Sequence, residues 1–141
     1  MRANGFTLVE LLVAITVMSL LAAAVVLTLP PSGAGASDAA ARFATRVAAA
    51  RDQAVLTGRP LGVWVSPSGY GFERLEDGAW QPFDQRPFVQ ENWGGSVQAL
   101  SATRVRFDSV GLPDRSADIA LDQDGQQAIV RIAVNGDVVL P

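Results

Sequence analysis

The sequence predicts an α+β fold: a long N-terminal hydrophobic helix, then a second helix packed on a mostly antiparallel β-sheet head. Three observations carry this. Phe6 to Leu29 is an apolar run broken by one charge, Glu10. Apolar residues then recur at helical spacing up to Thr57. From Leu61 onward the pattern changes to alternation, with turn signals between short runs and no helical pattern among them.

The first run is 24 residues long. As a helix it would extend about 36 Å, against about 30 Å for the hydrocarbon core of a bilayer. Arg2 precedes it and the next positive residue is Arg42. The positive-inside bias therefore puts the N-terminus in the cytoplasm and the remainder across the membrane. Three explanations fit such a run. A secretory signal peptide would use Ala22, Ala23 and Ala24 as its small-residue cleavage site, but its apolar region would be long and would contain Glu10. A plain anchor would keep Glu10 hydrated near the interface. A third explanation would give Glu10 a cationic partner within apolar surroundings.

Leu29-Pro30-Pro31 should interrupt the helix, since proline removes a backbone donor and pushes the preceding residue out of helical geometry. A second helix is expected from Ser37-Asp38, either of which can cap it. Phe43, Val47, Ala50 and Ala54 form its apolar stripe. Arg42, Arg46 and Asp52 lie elsewhere, the arginines on a solvated face or at subunit contacts. Gly58, with Pro60 two residues on, is the stop. Strands are expected at Leu61–Val65, Tyr70–Leu75, Ala79–Trp80, Arg104–Phe107, Ile119–Leu121, Ala128–Val134 and Asp137–Leu140, with Asn135-Gly136 as the strongest hairpin signal.

Composition excludes several chemistries. The chain has no Cys, no His and no Lys, so its eleven basic residues are all Arg. That removes thiolate and imidazole chemistry, zinc clusters, Schiff bases and the P-loop lysine. The net charge of −3 argues against an electrostatic grip on nucleic acid. Asp122-Gln123-Asp124-Gly125 has half the look of a calcium loop but lacks the later glutamate, and an Asp-Gly turn explains it. Asp114, Glu73 and Asp77 are read as turn and surface carboxylates, not acid–base pairs. No enzyme activity, cofactor or metal site is expected. Phe83, Phe88 and Trp93, in an irregular Pro- and Gly-rich stretch, either plug the core or form an exposed partner patch.

Gly5-Phe6-Thr7-Leu8-Val9-Glu10 resembles the type IV prepilin motif: glycine, phenylalanine, three residues, glutamate, then an apolar helix. The resemblance implies that a prepilin peptidase cuts between Gly5 and Phe6 and methylates the new Phe6 amine. It also implies that Glu10 pairs with the Phe6 amine of a neighbouring subunit. Such a pair at about 4 Å would gain on the order of 4 kcal/mol at an effective dielectric near 20, and the helix dipole favours a carboxylate in the first turns.

Further along, Gln53–Pro60, Val105–Leu112 and Val134–Val138 resemble the minor pseudopilin H group of type II secretion. The resemblance implies an inner-membrane protein with a periplasmic head, a structural subunit near the tip of a pseudopilus that helps export folded proteins. Its partners would be the peptidase, other minor and major pseudopilins and the inner-membrane secretion platform. The expected organisation is a leader (1–5), a transmembrane and filament-core helix (6–29), a Pro/Gly-rich break (30–37) and a head (38–141, with its helix at 38–57 and β region at 61–141). A minor type IV pilin for adhesion, motility or DNA uptake is the nearest alternative. A secreted hydrolase with a cleavable signal peptide is the alternative of another class.

Overall fold

The computed structural model of the chain describes residues 5–28 and 35–141. It divides into two units, one carrying the first helix and one carrying the remainder. Pro30 and Pro31, where the sequence predicts an interrupted helix, lie outside the described residues.

The first unit is helix α1, Leu8–Thr28. Leu8, Val9, Leu11, Leu12 and Val13 follow one another closely and each exposes more than half its surface. Consecutive positions point to every side of a helix, so α1 is apolar all round, the composition of a helix made for apolar surroundings. Two of its hydroxyls are satisfied internally: Thr16 Oγ1 donates to Leu12 O and Ser19 Oγ to Ile15 O, both at 2.7 Å. Such self-bonding is what a helix without water nearby requires.

The second unit is built on α2, Ala36–Thr57. It begins earlier than the Ser37-Asp38 cap predicts: Gly35 occupies the N-cap with no side-chain bond, and its carbonyl accepts from Ala39 N at 3.0 Å. Burial of Ala36, Ala39 and Ala40 accounts for the added residues, because packing holds that turn without a side-chain cap. At the other end Gly58 adopts a left-handed conformation (φ 63°). Gly58 N donates to Val55 O and Arg59 N to Ala54 O, the paired bonds of a Schellman stop.

Among the described residues the strands form two antiparallel sheets, where the sequence suggested one. The first contains β1 (Leu61–Ser66), β2 (Gly69–Glu76), β3 (Ala79–Pro82), β4 (Glu91–Asn92) and β6 (Thr103–Phe107), in the order β3-β2-β1-β6 with β4 also on β2. The second runs β5 (Gln98–Ala99), β7 (Ala117–Gln123), β8 (Gln126–Ile132) and β9 (Val138–Val139). Short β4 and β5, within a stretch read as irregular, tie that stretch to one sheet each. The Asn135-Gly136 turn is longer than a two-residue hairpin. Strand β8 stops at Ile132, Gly136 takes φ 87°, and Ala133 N donates to Asp137 O at 2.8 Å.

Both sheets send their inner faces to α2. Phe43, Val47, Ala50 and Ala54 are fully buried, together with Leu61, Val63, Val105 and Phe107 of the first sheet and Ile119, Leu121, Val130 and Ile132 of the second. Phe43 meets the edges of Tyr70 and Trp93, with ring centroids 4.8 and 5.2 Å away. Replacing Phe43 with Ala removes the ring at that junction. The expected loss is about 3–5 kcal/mol of head stability, measured by denaturant unfolding of the full chain in detergent; a loss under about 1 kcal/mol would contradict this packing.

Candidate functional site

The N-terminal site begins with Gly5, where an added Cβ would meet nothing within 4 Å. Phe6 follows, 78% exposed. Thr7 then caps α1: its Oγ1 accepts the Glu10 N–H at 3.2 Å, and its carbonyl accepts from Leu11 N. Thr7 and Glu10 thus stand at the spacing of a capping box. The Thr-x-x-Glu signal for this cap is legible in the sequence itself. Glu10 is exposed and makes no ion pair among the described residues. It sits in the first turn, where the helix dipole favours negative charge. Leu8–Val25, with a mean hydropathy of 2.5, is long and apolar enough to cross a membrane.

In the head, Phe83, Phe88 and Trp93 are buried, at 6, 5 and 3% exposure. The exposed-patch alternative for them is therefore corrected: all three belong to the core. Phe83 stacks on Phe88, Phe88 meets Phe72 edge-on, and Trp93 packs on Tyr70. Trp93 Nε1 donates to Ser66 O at 3.0 Å, which satisfies its one polar atom.

Arg46 organises this region. It is not on a solvated face, since only 16% of its side chain is exposed. Its Nε donates to Pro87 O at 3.0 Å, Nη2 to Val89 O at 2.8 Å and Nη1 to the Tyr70 hydroxyl at 2.9 Å; Nη1 also pairs with Glu91. Its guanidinium lies 5.3 Å from the Tyr70 ring centroid and 5.5 Å from that of Phe72. One side chain on α2 thereby ties down the whole 87–91 segment. Beside it, Ala41, Thr45, Arg86 and Pro87 line an open groove of about 650 Å³.

The other charged candidates have structural partners. Glu73, one of the carboxylates read as surface residues, is buried and bonded to arginines of β6. Asp114 Oδ1 accepts the Arg106 backbone N–H at 3.0 Å. Asp122 Oδ2 accepts Gly125 N–H, and Asp124 and Gly125 both have positive φ, so this stretch is the β7–β8 turn. Asp108 Oδ1 accepts from Val110 N and Leu112 N, which shapes the loop after β6. Gly111 and Gly136 both take positive φ and both crowd Arg51 of α2, so two stretches far apart in sequence meet there.

Burial pushes the Tyr70 hydroxyl above its ordinary value of 10; the Glu91 carboxylate adds to this and Arg46 partly offsets it. Because the folded value lies above the unfolded one, the Tyr70 contribution to stability is present below pH 10 and is lost as pH rises from there through the folded pKa. Tyr70 is the only tyrosine in the chain, so tyrosinate absorbance reports this site alone. The expected midpoint in the folded chain lies above 10. A midpoint at or below the ordinary value, followed by the same absorbance titration, would overturn the burial account.

Comparison with known proteins places this architecture. The family model described as Type II transport protein GspH matches residues 39–137, and that of the prokaryotic N-terminal methylation motif matches residues 1–26. The Type II secretion system protein H of Aeromonas hydrophila is 32% identical over 129 residues, which span 88% of this chain and 60% of that protein. The chain therefore matches less than two thirds of that relative's length. The minor pseudopilin EpsH from the Type 2 Secretion System of Vibrio cholerae has the same fold, with TM-score 0.62 and 22% identity over 72% of this chain and 92% of its own. The type IV minor pilin FimU of Pseudomonas aeruginosa shares it with TM-score 0.56 and 17% identity, over 73% and 85% of the two chains. With most of its head matched by one model, from the first turn of α2 to the last hairpin, the chain belongs to the Type II transport protein GspH family.

Proposed function

We propose that this protein is a minor pseudopilin of type II protein secretion, a structural subunit of a periplasmic pseudopilus. One observation carries the proposal: a prepilin methylation motif and a GspH head stand on the same chain, joined by way of an apolar helix of membrane-spanning length. In this account residues 1–5 are a leader removed by the prepilin peptidase, and Phe6 becomes the N-methylated terminus. The segment 6–29 holds the protein in the inner membrane and later packs in the filament core. Residues 30–37 are the break before a periplasmic head at 38–141. Glu10 meets the Phe6 amine of a neighbouring subunit, which fixes axial register. The work of the protein is assembly with other minor and major pseudopilins and with the inner-membrane platform, near the tip, and it acts as a substrate of the peptidase, not as an enzyme.

The minor type IV pilin alternative rests on fold alone, since the FimU likeness is at 17% identity, whereas the family model and the Aeromonas relative both point to secretion. The chemistry of the N-terminal site fits its role. Gly5 places no side chain on the leader side of the Gly5–Phe6 bond. An apolar helix carrying one unpaired carboxylate incurs a desolvation penalty among other apolar helices unless a cation meets it.

The test is the intact mass and N-terminal peptide of the protein extracted from its native membrane. The expected chain starts at N-methylated Phe6. A terminus near Ala24 would sink the filament account in favour of a secreted domain, and retained Met1 would leave a plain anchor. Two substitutions separate processing from assembly. Gly5→Val should leave the chain uncut. Glu10→Val should be cut and methylated yet fail to enter filaments, read by shearing or immunogold microscopy; normal incorporation would refute the pairing.

A further inference from the structure

The outer face of the first sheet, turned away from α2, has a composition that its fold does not require. An antiparallel sheet covered on one side commonly shows water a polar, alternating face. Here the register brings Trp64 of β1, Trp80 of β3, Glu73 of β2, and Arg104 and Arg106 of β6 to that side. Trp64 lies flat across Gly71, where a Cβ would come within 2.5 Å of the indole. Trp80 lies under Arg106, whose guanidinium carbon is 4.4 Å from the ring centroid.

The two arginines are held in a specific way. Glu73 is 8% exposed. Its Oε1 accepts Arg106 Nε at 3.0 Å and faces Arg104 Nε at 3.4 Å. Gly62 lies directly opposite, where a Cβ would sit 2.7 Å from Glu73 Cγ, so the carboxylate occupies space that glycine leaves. Both arginines thus spend Nε on Glu73. Their terminal amino groups have no hydrogen-bond partner among the described residues, and the side chains are 55% and 36% exposed.

Two guanidiniums share one carboxylate, which leaves a positive site on a chain of net charge −3. Their outward ends are the paired donors that match a carboxylate, and they are already anchored, so little side-chain entropy remains to be lost on binding. Tryptophan and arginine are also the side chains most enriched where protein partners bind tightly. Asp114 does not cancel the positive charge of this site, since its Oδ1 accepts the Arg106 backbone N–H at 3.0 Å and its Oδ2 faces Arg115 Nη2 at 3.6 Å.

We propose that this face is a docking surface for an acidic segment of a partner protein, with Arg104 and Arg106 receiving a carboxylate and Trp64 and Trp80 forming the apolar shelf beneath it. The surface is independent of which filament the chain enters, so its failure and that of the secretion assignment are distinguishable. The test uses the full chain in neutral detergent, with indole fluorescence read against a short peptide alternating Glu and Gly. Saturable binding is expected, weakened by salt. Arg104→Gln leaves Arg106 on Glu73 and so keeps the fold; it should weaken binding about threefold. The double variant R104Q/R106Q should weaken it about tenfold or more, while Arg131→Gln, on the other sheet, should change nothing. Equal response to a Lys-Gly peptide, equal affinity for acetate alone, preference for anionic vesicles over the peptide, unchanged affinity in R104Q and R104Q/R106Q, or no saturable binding would each overturn the proposal.

Discussion

Burial of one stripe of α2 is the constraint on which the head depends. Phe43, Val47, Ala50 and Ala54 face two sheets at once, so one helix stripe covers the inner faces of both. The small residues of the stripe matter as much as the ring. Ala50 and Ala54 let strands from both sheets approach the helix closely, while Phe43 fills the wider space where Tyr70 and Trp93 converge. Protein interiors are packed at crystal-like density, so a helix with larger side chains at the alanines would drive the sheets apart.

A second constraint acts on the chain between β3 and β6. Loop backbone groups that lose water need partners, and Arg46 provides donors to the carbonyls of Pro87 and Val89. The same guanidinium pairs with Glu91 and lies over aromatic rings, so its charge is balanced where it is buried. This is why an irregular segment can hold Phe83, Phe88 and Trp93 in the core. The aromatic side chains supply the apolar area, and Arg46 and the short β4 and β5 pairings supply the polar satisfaction.

The two units resolve the same problem of apolar surface in opposite ways. The head buries a continuous apolar core between α2 and the two sheets. Helix α1 exposes its apolar residues on all sides and satisfies the Thr16 and Ser19 hydroxyls internally, so it suits an apolar environment supplied from outside, by lipid or by other helices. Glu10 is the exception in that surface. In the first turn it lies where the helix dipole favours negative charge, its N–H is held by the Thr7 cap, and its carboxylate makes no ion pair among the described residues. The outer face of the first sheet adds a different kind of surface, charged and aromatic, on the opposite side of the sheet from the core.

By itself the sequence determined whatever depends on local order. The apolar run, the Gly-Phe-x-x-x-Glu spacing, the stripe on α2, the Gly58 stop and most strands are set by neighbours a few residues apart, and periodicity and turn chemistry expose them. Tertiary structure decided what depends on distant partners. The start of α2 moved back to Ala36 because packing, not capping, holds its first turn. One expected sheet became two, because strand pairing across sequence leaves no short-range signal. Arg46 left the solvated face because the carbonyls that hold it lie some forty residues onward. Glu73, read as a surface carboxylate, was buried beneath Arg104 and Arg106 by a register that brings β2, β1 and β6 side by side, a relation that no single stretch of chain contains.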